Sequence, residues 1–288
     1  PRLVGPGIIR PQDKVERCNM HESIHSDSFS RDNLPPHAVW PDLLLDGFDY
    51  GARLNAAVEL TDAMVDRGFG DSVALIGNGR RRTYKELADW TNRLAHVLVD
   101  DLGIRPGNRV LVRSANNPAM VACWLAATKV GAVVVNTMPL LRAGELAKYV
   151  DKAEISHALC DTRLMDELTE CAKHSRWLKM VIGFDGTANH DAELDRLALS
   201  KPVRFDAVDT ASDDVALIGF TSGSTGEPKG TMHFHRDLLI IADGYAKEVG
   251  GDVAKYKADV NSGKVKAMVA ADQALARKVG ARGTPNFF

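Results

Sequence analysis

At 288 residues the chain has room for one large domain or two ordinary ones. A hydrophobic share of 45% and a charged share of 26% are those of a soluble globular protein, not of a disordered or fibrous one. The formal net charge of −2 leaves no nucleic-acid footprint at the whole-chain level, and no apolar run approaches the length of a membrane span.

The chain opens Pro1-Arg2-Leu3, and its first methionine is Met20. Residues 1–19 hold no apolar stretch long enough for a secretory signal. A leader and residues translated from upstream both accommodate them, and they are set outside the fold. Residues 32–45 form an irregular, proline-rich approach, and 54–65 reads as a helix. The apolar run 73–76 and the segment 81–83 flank Gly77-Asn78-Gly79, a hairpin signal. Thr83-Tyr84-Lys85-Glu86 is a capping box. It opens a helix whose apolar stripe is Leu87, Trp90, Leu94, Val97 and Leu98.

After Pro106-Gly107 strands and helices alternate regularly. Residues 109–113 read as a strand. Asn117-Pro118 then supplies an N-cap and a first-turn proline for a helix running to about Lys129. The strand at 132–135 is apolar throughout, as expected where both faces are covered. A helix near 144–150, a strand at 155–160, a helix at 163–174 and a strand at 180–182 continue the pattern. Such an order predicts a doubly wound α/β sheet with ligands at the carboxyl ends of its strands. The cysteines at 18, 123, 160 and 171 have no C-x-x-C or metal-ligand spacing, so no metal site is expected. They point to reduced, mostly buried thiols and a cytoplasmic setting.

The buried strand 215–220 runs into Thr221-Ser222-Gly223-Ser224-Thr225-Gly226-Glu227-Pro228-Lys229-Gly230. Glycines let backbone N–H groups turn toward an anion, hydroxyls add donors, and Lys229 brings a point charge. The string reads as a phosphate cradle. It is not a Walker A loop, because Glu227-Pro228 separates Gly226 from Lys229. Beyond it the charge balance changes: in 251–288 Lys and Arg outnumber Asp252, Asp259 and Asp272. A helix over 264–279, with Val265, Met268, Val269, Leu275 and Val279 on one side, stops at Gly280.

The 221–230 string resembles the phosphate-binding signature of the adenylate-forming superfamily, which includes acyl-CoA synthetases. Thr83–Leu87, Asn92–Ala95, Gly103–Val110, Lys129–Val133, Asn136-Thr137 and Pro139-Leu140 resemble that family's earlier signatures, in the family's order. Asp32–Pro36 and Thr231–Leu238 resemble the benzoate and 2-aminobenzoate CoA-ligase branch. The resemblance covers about 20–249 and implies ATP, CoA and an aromatic carboxylic acid as substrates, with Mg2+. It implies that Thr221, Ser222, Gly223, Ser224, Thr225, Gly226 and Lys229 wrap the β- and γ-phosphates. Two readings stay open for His233 and His235: an approach to the acyl or phosphate site, and a helix-start or packing role, the latter the more ordinary. The family's magnesium acid, ribose aspartate, aromatic-acid pocket and adenylation lysine find no match after Val249. Weak or absent ligase activity from this chain alone is therefore the expectation.

The tail resembles the closing part of a DsbA-type thioredoxin domain, in which Thr284-Pro285 implies a cis-proline at Pro285. No C-x-x-C accompanies it, so thiol–disulfide chemistry lacks its nucleophile. The expected organisation is a leader at 1–19, the first part of an AMP-binding domain at 20–249, and a thioredoxin-like fragment at 250–288. A join falls within Tyr245–Gly250. A sheet ending so soon after its phosphate loop leaves edges uncovered, which predicts aggregation or partial disorder after about residue 240. A non-catalytic nucleotide-binding fragment and a thioredoxin-fold oxidoreductase are the alternatives.

Overall fold

A strand with apolar side chains on both sides is covered only if helices pack on both faces of its sheet. The central strands of this protein are of that kind. The computed structural model describes residues 20–40, 48–187, 189–221 and 227–248. The chain divides into two compact units, Pro1–Arg236 and Asp237–Phe288. In chain order come short helices α1 (Phe29–Asp32), α2 (Ala56–Leu60) and α3 (Asp62–Met64), a hairpin of β1 (Val73–Gly77) and β2 (Arg80–Thr83), and α4 (Tyr84–His96). There follow β3 (Arg109–Arg113), α5 (Pro118–Lys129), β4 (Val133–Thr137), α6 (Ala143–Ala153) and β5 (His157–Asp161). The series closes with α7 (Met165–His174), β6 (Met180–Phe184), α8 (Glu193–Leu199), β7 (Val215–Thr221), β8 (Lys229–Phe234) and α9 (His235–Glu248).

β1 and β2 pair with each other, and the other six strands form a sheet in the order β6-β5-β3-β4-β7-β8. Pairing is parallel from β6 to β7, and β8 is antiparallel to β7. Successive side chains point to opposite faces of a strand. Val110, Val112, Val134, Leu159, Ile182 and Phe184 accordingly pack with Leu94 of α4, Ala122 and Ala126 of α5, and Leu194 of α8. Leu111, Val133, Val135, Ala158 and Cys160 face the other way, onto Leu146 and Val150 of α6 and Leu168 and Cys171 of α7. The doubly wound α/β sheet expected from the sequence is formed. The chain leaves β3 toward one face and β4 toward the other, which opens a crevice at their carboxyl ends.

Local chemistry fixes the elements around that edge. Thr83 accepts from the Glu86 amide at 3.2 Å while the Glu86 carboxylate accepts from the Thr83 amide at 2.8 Å, closing the capping box. Asn117 caps α5 by accepting from the Met120 amide at 2.9 Å, with Pro118 in the first turn. The β1–β2 turn places Asn78 and Gly79 at φ 52° and 72°, the left-handed conformation such a turn demands. Two expectations change. The helix at 54–65 is two short helices with a break at Thr61, whose hydroxyl bonds Ala57 O at 2.6 Å. Its continuation, Val65–Phe69, is a π-helical turn. The helix at 163–174 starts at Met165, after a 3-10 turn over Thr162–Leu164. Strand β8 and helix α8 are additions. Ser222–Gly226, the helix expected at 264–279, the join in 245–250 beyond Glu248, and Pro285 lie outside the described residues.

Candidate phosphate-binding hairpin

β7 carries buried Val215, Ala216 and Ile218 up to the sheet's carboxyl edge, and β8 brings the chain back beside it. The register pairs Thr221 with Lys229, Phe220 with Gly230 and Gly219 with Thr231. Thr231 Oγ1 donates to Gly219 O at 2.9 Å, and Thr221 Oγ1 donates to Lys229 O at 3.4 Å. At Gly230 a Cβ would sit 3.1 Å from Ile218 Cγ2 and 3.3 Å from the Phe220 ring, so glycine lets β8 cross that ring closely. The two ends of the Ser/Thr/Gly string, Thr221 and exposed Lys229, thereby stand side by side at the edge.

Of the two histidines beyond the string, His233 stands farther along β8 and His235 opens α9. His233 is opposite Leu217, and its Nε2 is 3.3 Å from Thr231 Oγ1. His235 lies past the far end of the hairpin, where its amide donates to Asp214 O at 3.1 Å and its Nδ1 accepts from the Ala56 amide at 3.2 Å. Its imidazole is fully buried, and burial, with the nearby His25, pushes its pKa down to about 3. At ~3.3 Å per strand residue, the length of β7 separates it from Thr221 by roughly 20 Å. The fold therefore brings Thr221 and Lys229 together and does not bring His235 to them.

Neighbouring elements shape the edge in ways that sequence reading missed. On α6, Tyr149 stacks on Phe220 with ring centroids 4.5 Å apart, and Lys148 Nζ lies 2.9 Å from Glu227 Oε1. Arg113, at the end of β3, is buried and donates to the carbonyls of Met138 at 3.0 Å, Pro139 at 2.9 Å and Leu141 at 2.8 Å. It pins the loop between β4 and α6. A cavity of 380 Å³ opens at the carboxyl ends of β3, β5 and β6, lined by Asn78, Asn116, Asn117, Arg163, Gly186 and Thr187. Buried Asp161 accepts from Arg163 Nε at 2.9 Å and from Ser114 Oγ at 3.1 Å. Burial alone would raise the Asp161 pKa, but these bonds and the Arg163 charge hold it below the usual carboxylate value. Gly186 comes so close that a Cβ there would overlap Asp161 and Arg163. Tyr149 and Phe220, Lys148 and Glu227, and Ser114 and Asp161 are distant in sequence and carry no shared motif.

Cys123, Cys160 and Cys171 are buried free thiols, and burial raises the pKa of each, that of Cys160 to about 12. Among the described residues no group of three or more His, Cys, Asp or Glu side chains could hold a metal ion. None of their helices is long and apolar enough to cross a membrane.

Residues 63–261 match the family of AMP-binding enzymes, and residues 238–288 match the DSBA-like thioredoxin domain. The benzoate–CoA ligase of Thauera aromatica is 30% identical over 199 residues, which are 69% of this chain and 37% of that protein. The 3-hydroxybenzoate–CoA ligase of Aromatoleum sp. (strain CIB) is 28% identical over 207 residues, 71% of this chain and 39% of that protein. The 3-oxocholest-4-en-26-oate–CoA ligase of Rhodococcus rhodochrous is 31% identical over 192 residues, 64% of this chain and 34% of that protein. The chain thus spans between 34% and 39% of the length of these curated relatives. ATP-bound MatB from Rhodopseudomonas palustris superposes with a TM-score of 0.57 at 25% identity, covering 67% of this chain and 37% of that one. A benzoate CoA ligase from Burkholderia xenovorans LB400 shares the fold with a TM-score of 0.58 at 23% identity, covering 69% and 38%.

Proposed function

The chain belongs to the AMP-binding enzyme family, and on that premise we propose that its 221–229 hairpin holds the polyphosphate of ATP for the activation of an aromatic carboxylic acid. The observation that carries this reading is the pairing of Thr221 with Lys229 at the carboxyl end of β7. It sets the two ends of the Ser/Thr/Gly string side by side, with the lysine exposed. In the reaction the acid's carboxylate attacks the α-phosphorus of ATP, forming a P–O bond as the bond to the leaving pyrophosphate breaks. CoA thiolate then displaces AMP to give the thioester. The attacking carboxylate is already a nucleophile, so the demand on the protein is electrostatic. Lys229 meets the β- and γ-phosphate charge, while Thr221, Ser222, Gly223, Ser224, Thr225 and Gly226 donate to their oxygens. Mg2+ would travel with the polyphosphate; among the described residues no cluster of three or more His, Cys, Asp or Glu is present to hold it.

The named relatives that activate benzoate and 3-hydroxybenzoate support an aromatic acid as the substrate, with CoA as acceptor. We assign this role to residues 20–249 and a thioredoxin-like fragment to 250–288. Residues 238–288 contain no cysteine, so a thiol–disulfide activity has no nucleophile there. Because the chain spans little more than a third of its relatives' length, acyl-adenylate formation by these residues alone is expected to be weak.

Thermal unfolding with and without ATP tests the site. ATP is expected to raise the melting temperature, and Lys229→Ala is expected to remove that shift. ATP–pyrophosphate exchange with benzoate or 2-aminobenzoate tests the chemistry. Exchange near background fits a phosphate-holding role, whereas robust exchange would show that the chain carries a complete adenylation site. No ATP shift in the unaltered protein would sink the assignment of the hairpin.

A further inference from the structure

We infer that helix α6 is the positioning element of the phosphate hairpin, and that Lys148 neutralises the Glu227 carboxylate so that the turn can accept a polyanion. This rests on the reading of 221–229 as a nucleotide phosphate site. Glu227 is two residues before Lys229 and exposed, so its negative charge lies within a Debye length of any phosphate held by that lysine. A carboxylate in that place opposes the ligand unless a cation offsets it. Lys148 Nζ supplies that cation at 2.9 Å from Glu227 Oε1.

The neighbouring residue shows why α6 is the source. Tyr149 stacks on Phe220 at 4.5 Å with an interplanar angle of 18°. Phe220 is the residue before Thr221, where the chain enters the string, and Glu227 is where it leaves Gly226. Adjacent residues of α6 thus contact Phe220, just before Thr221, and Glu227, two residues before Lys229. As a contribution to folding, an exposed ion pair such as Lys148–Glu227 is worth little. Its place beside the turn gives it an electrostatic consequence that stability does not report.

The test is titration of the full 288-residue chain with ATP, by calorimetry, at low and high ionic strength. Lys148→Ala is expected to weaken ATP binding on the order of two- to fivefold at low salt, with the melting temperature of the unliganded protein unchanged. High salt should shrink the difference. Glu227→Gln should bind ATP more tightly than the unaltered protein, and adding Lys148→Ala to it should return binding to about the unaltered affinity, since both charges of the pair are then gone. A double variant as weak as Lys148→Ala alone would overturn the neutralising role, because Lys148 would then be contacting the nucleotide. Unchanged binding in Lys148→Ala, while Lys229→Ala abolishes it, overturns the inference and leaves the hairpin's assignment standing. Failure of the unaltered protein to bind ATP overturns both.

Discussion

Lys229 opens β8 and His235, six residues on, opens α9, and the two occupy opposite electrostatic settings. Lys229 is exposed at the carboxyl edge, whereas His235 is sealed beneath the start of α9 with its Nδ1 committed to the Ala56 amide. That commitment has a pH signature. An unfolded histidine takes a proton near 6.5, while folded His235 resists one until about 3. Between those values the unfolded state binds the extra proton, so this contribution to stability is complete above about pH 6.5 and is lost as pH falls toward 3. From pH 7 to pH 5 the loss is about 2 kcal/mol. His25 and His157, whose pKa values burial also lowers, act in the same direction. His235→Asn keeps an acceptor for the Ala56 amide and cannot titrate. Urea midpoints at the two pH values should therefore fall less in the variant than in the parent; equal falls would refute the assignment. The 221–230 string stood out in the sequence because glycines, hydroxyls and a lysine carry a recognisable chemistry in their order. Of the two readings open for His235, its place fits the helix-start and packing role, as the buried first residue of α9; the depth of that burial depends on a strand and a helix start that meet α2 from far along the chain.

At the scale of elements, segments with a local chemical signal read correctly and those defined by a partner did not. The Thr83 capping box and the Asn117-Pro118 start were visible because each is satisfied within a single turn. Strand β8 was hidden by its composition. Met232 and Phe234 do alternate with Thr231 and His233, but the run is short and opens on Lys-Gly, and its identity comes from pairing with β7. Helix α8 has only seven residues, and its Leu194 and Ala198 make sense only against the core they join. The hairpin β1–β2 shows how tightly such partners fit. A Cβ at Gly77 would lie 2.7 Å from both Cδ and Cγ of Pro118, in the first turn of α5. That ring is rigid and part of a helix, so it has little room to yield. Gly77→Ala is expected to cost about 1–3 kcal/mol through overpacking, read as a lowered denaturant midpoint with unchanged slope. A variant as stable as the parent would mean that the hairpin is free to lift from α5.

For the whole molecule, the alternation of apolar strands and amphipathic helices pointed to a doubly wound sheet, because strands that are apolar on both sides need helices on both faces. The strand order and the antiparallel β8 were beyond it, since pairing partners are set by contacts across the sheet and not by period. The same topology leaves the β4–α6 loop at the carboxyl edge with Met138 64% and Leu140 81% exposed. Arg113 holds this loop through main-chain carbonyls, so the two apolar side chains contribute little to its position. Exposed apolar side chains favour association between copies. The chain is therefore expected to self-associate with rising concentration near neutral pH, where its formal charge of −2 offers little repulsion. Met138→Lys combined with Leu140→Lys should slow that association, followed by light scattering, while leaving the urea midpoint within ~0.5 kcal/mol of the parent. If the parent stays monomeric at every concentration, or the double variant associates as fast, the loop is not the adhesive surface. If the variant unfolds earlier, those side chains hold the loop and Arg113 alone does not.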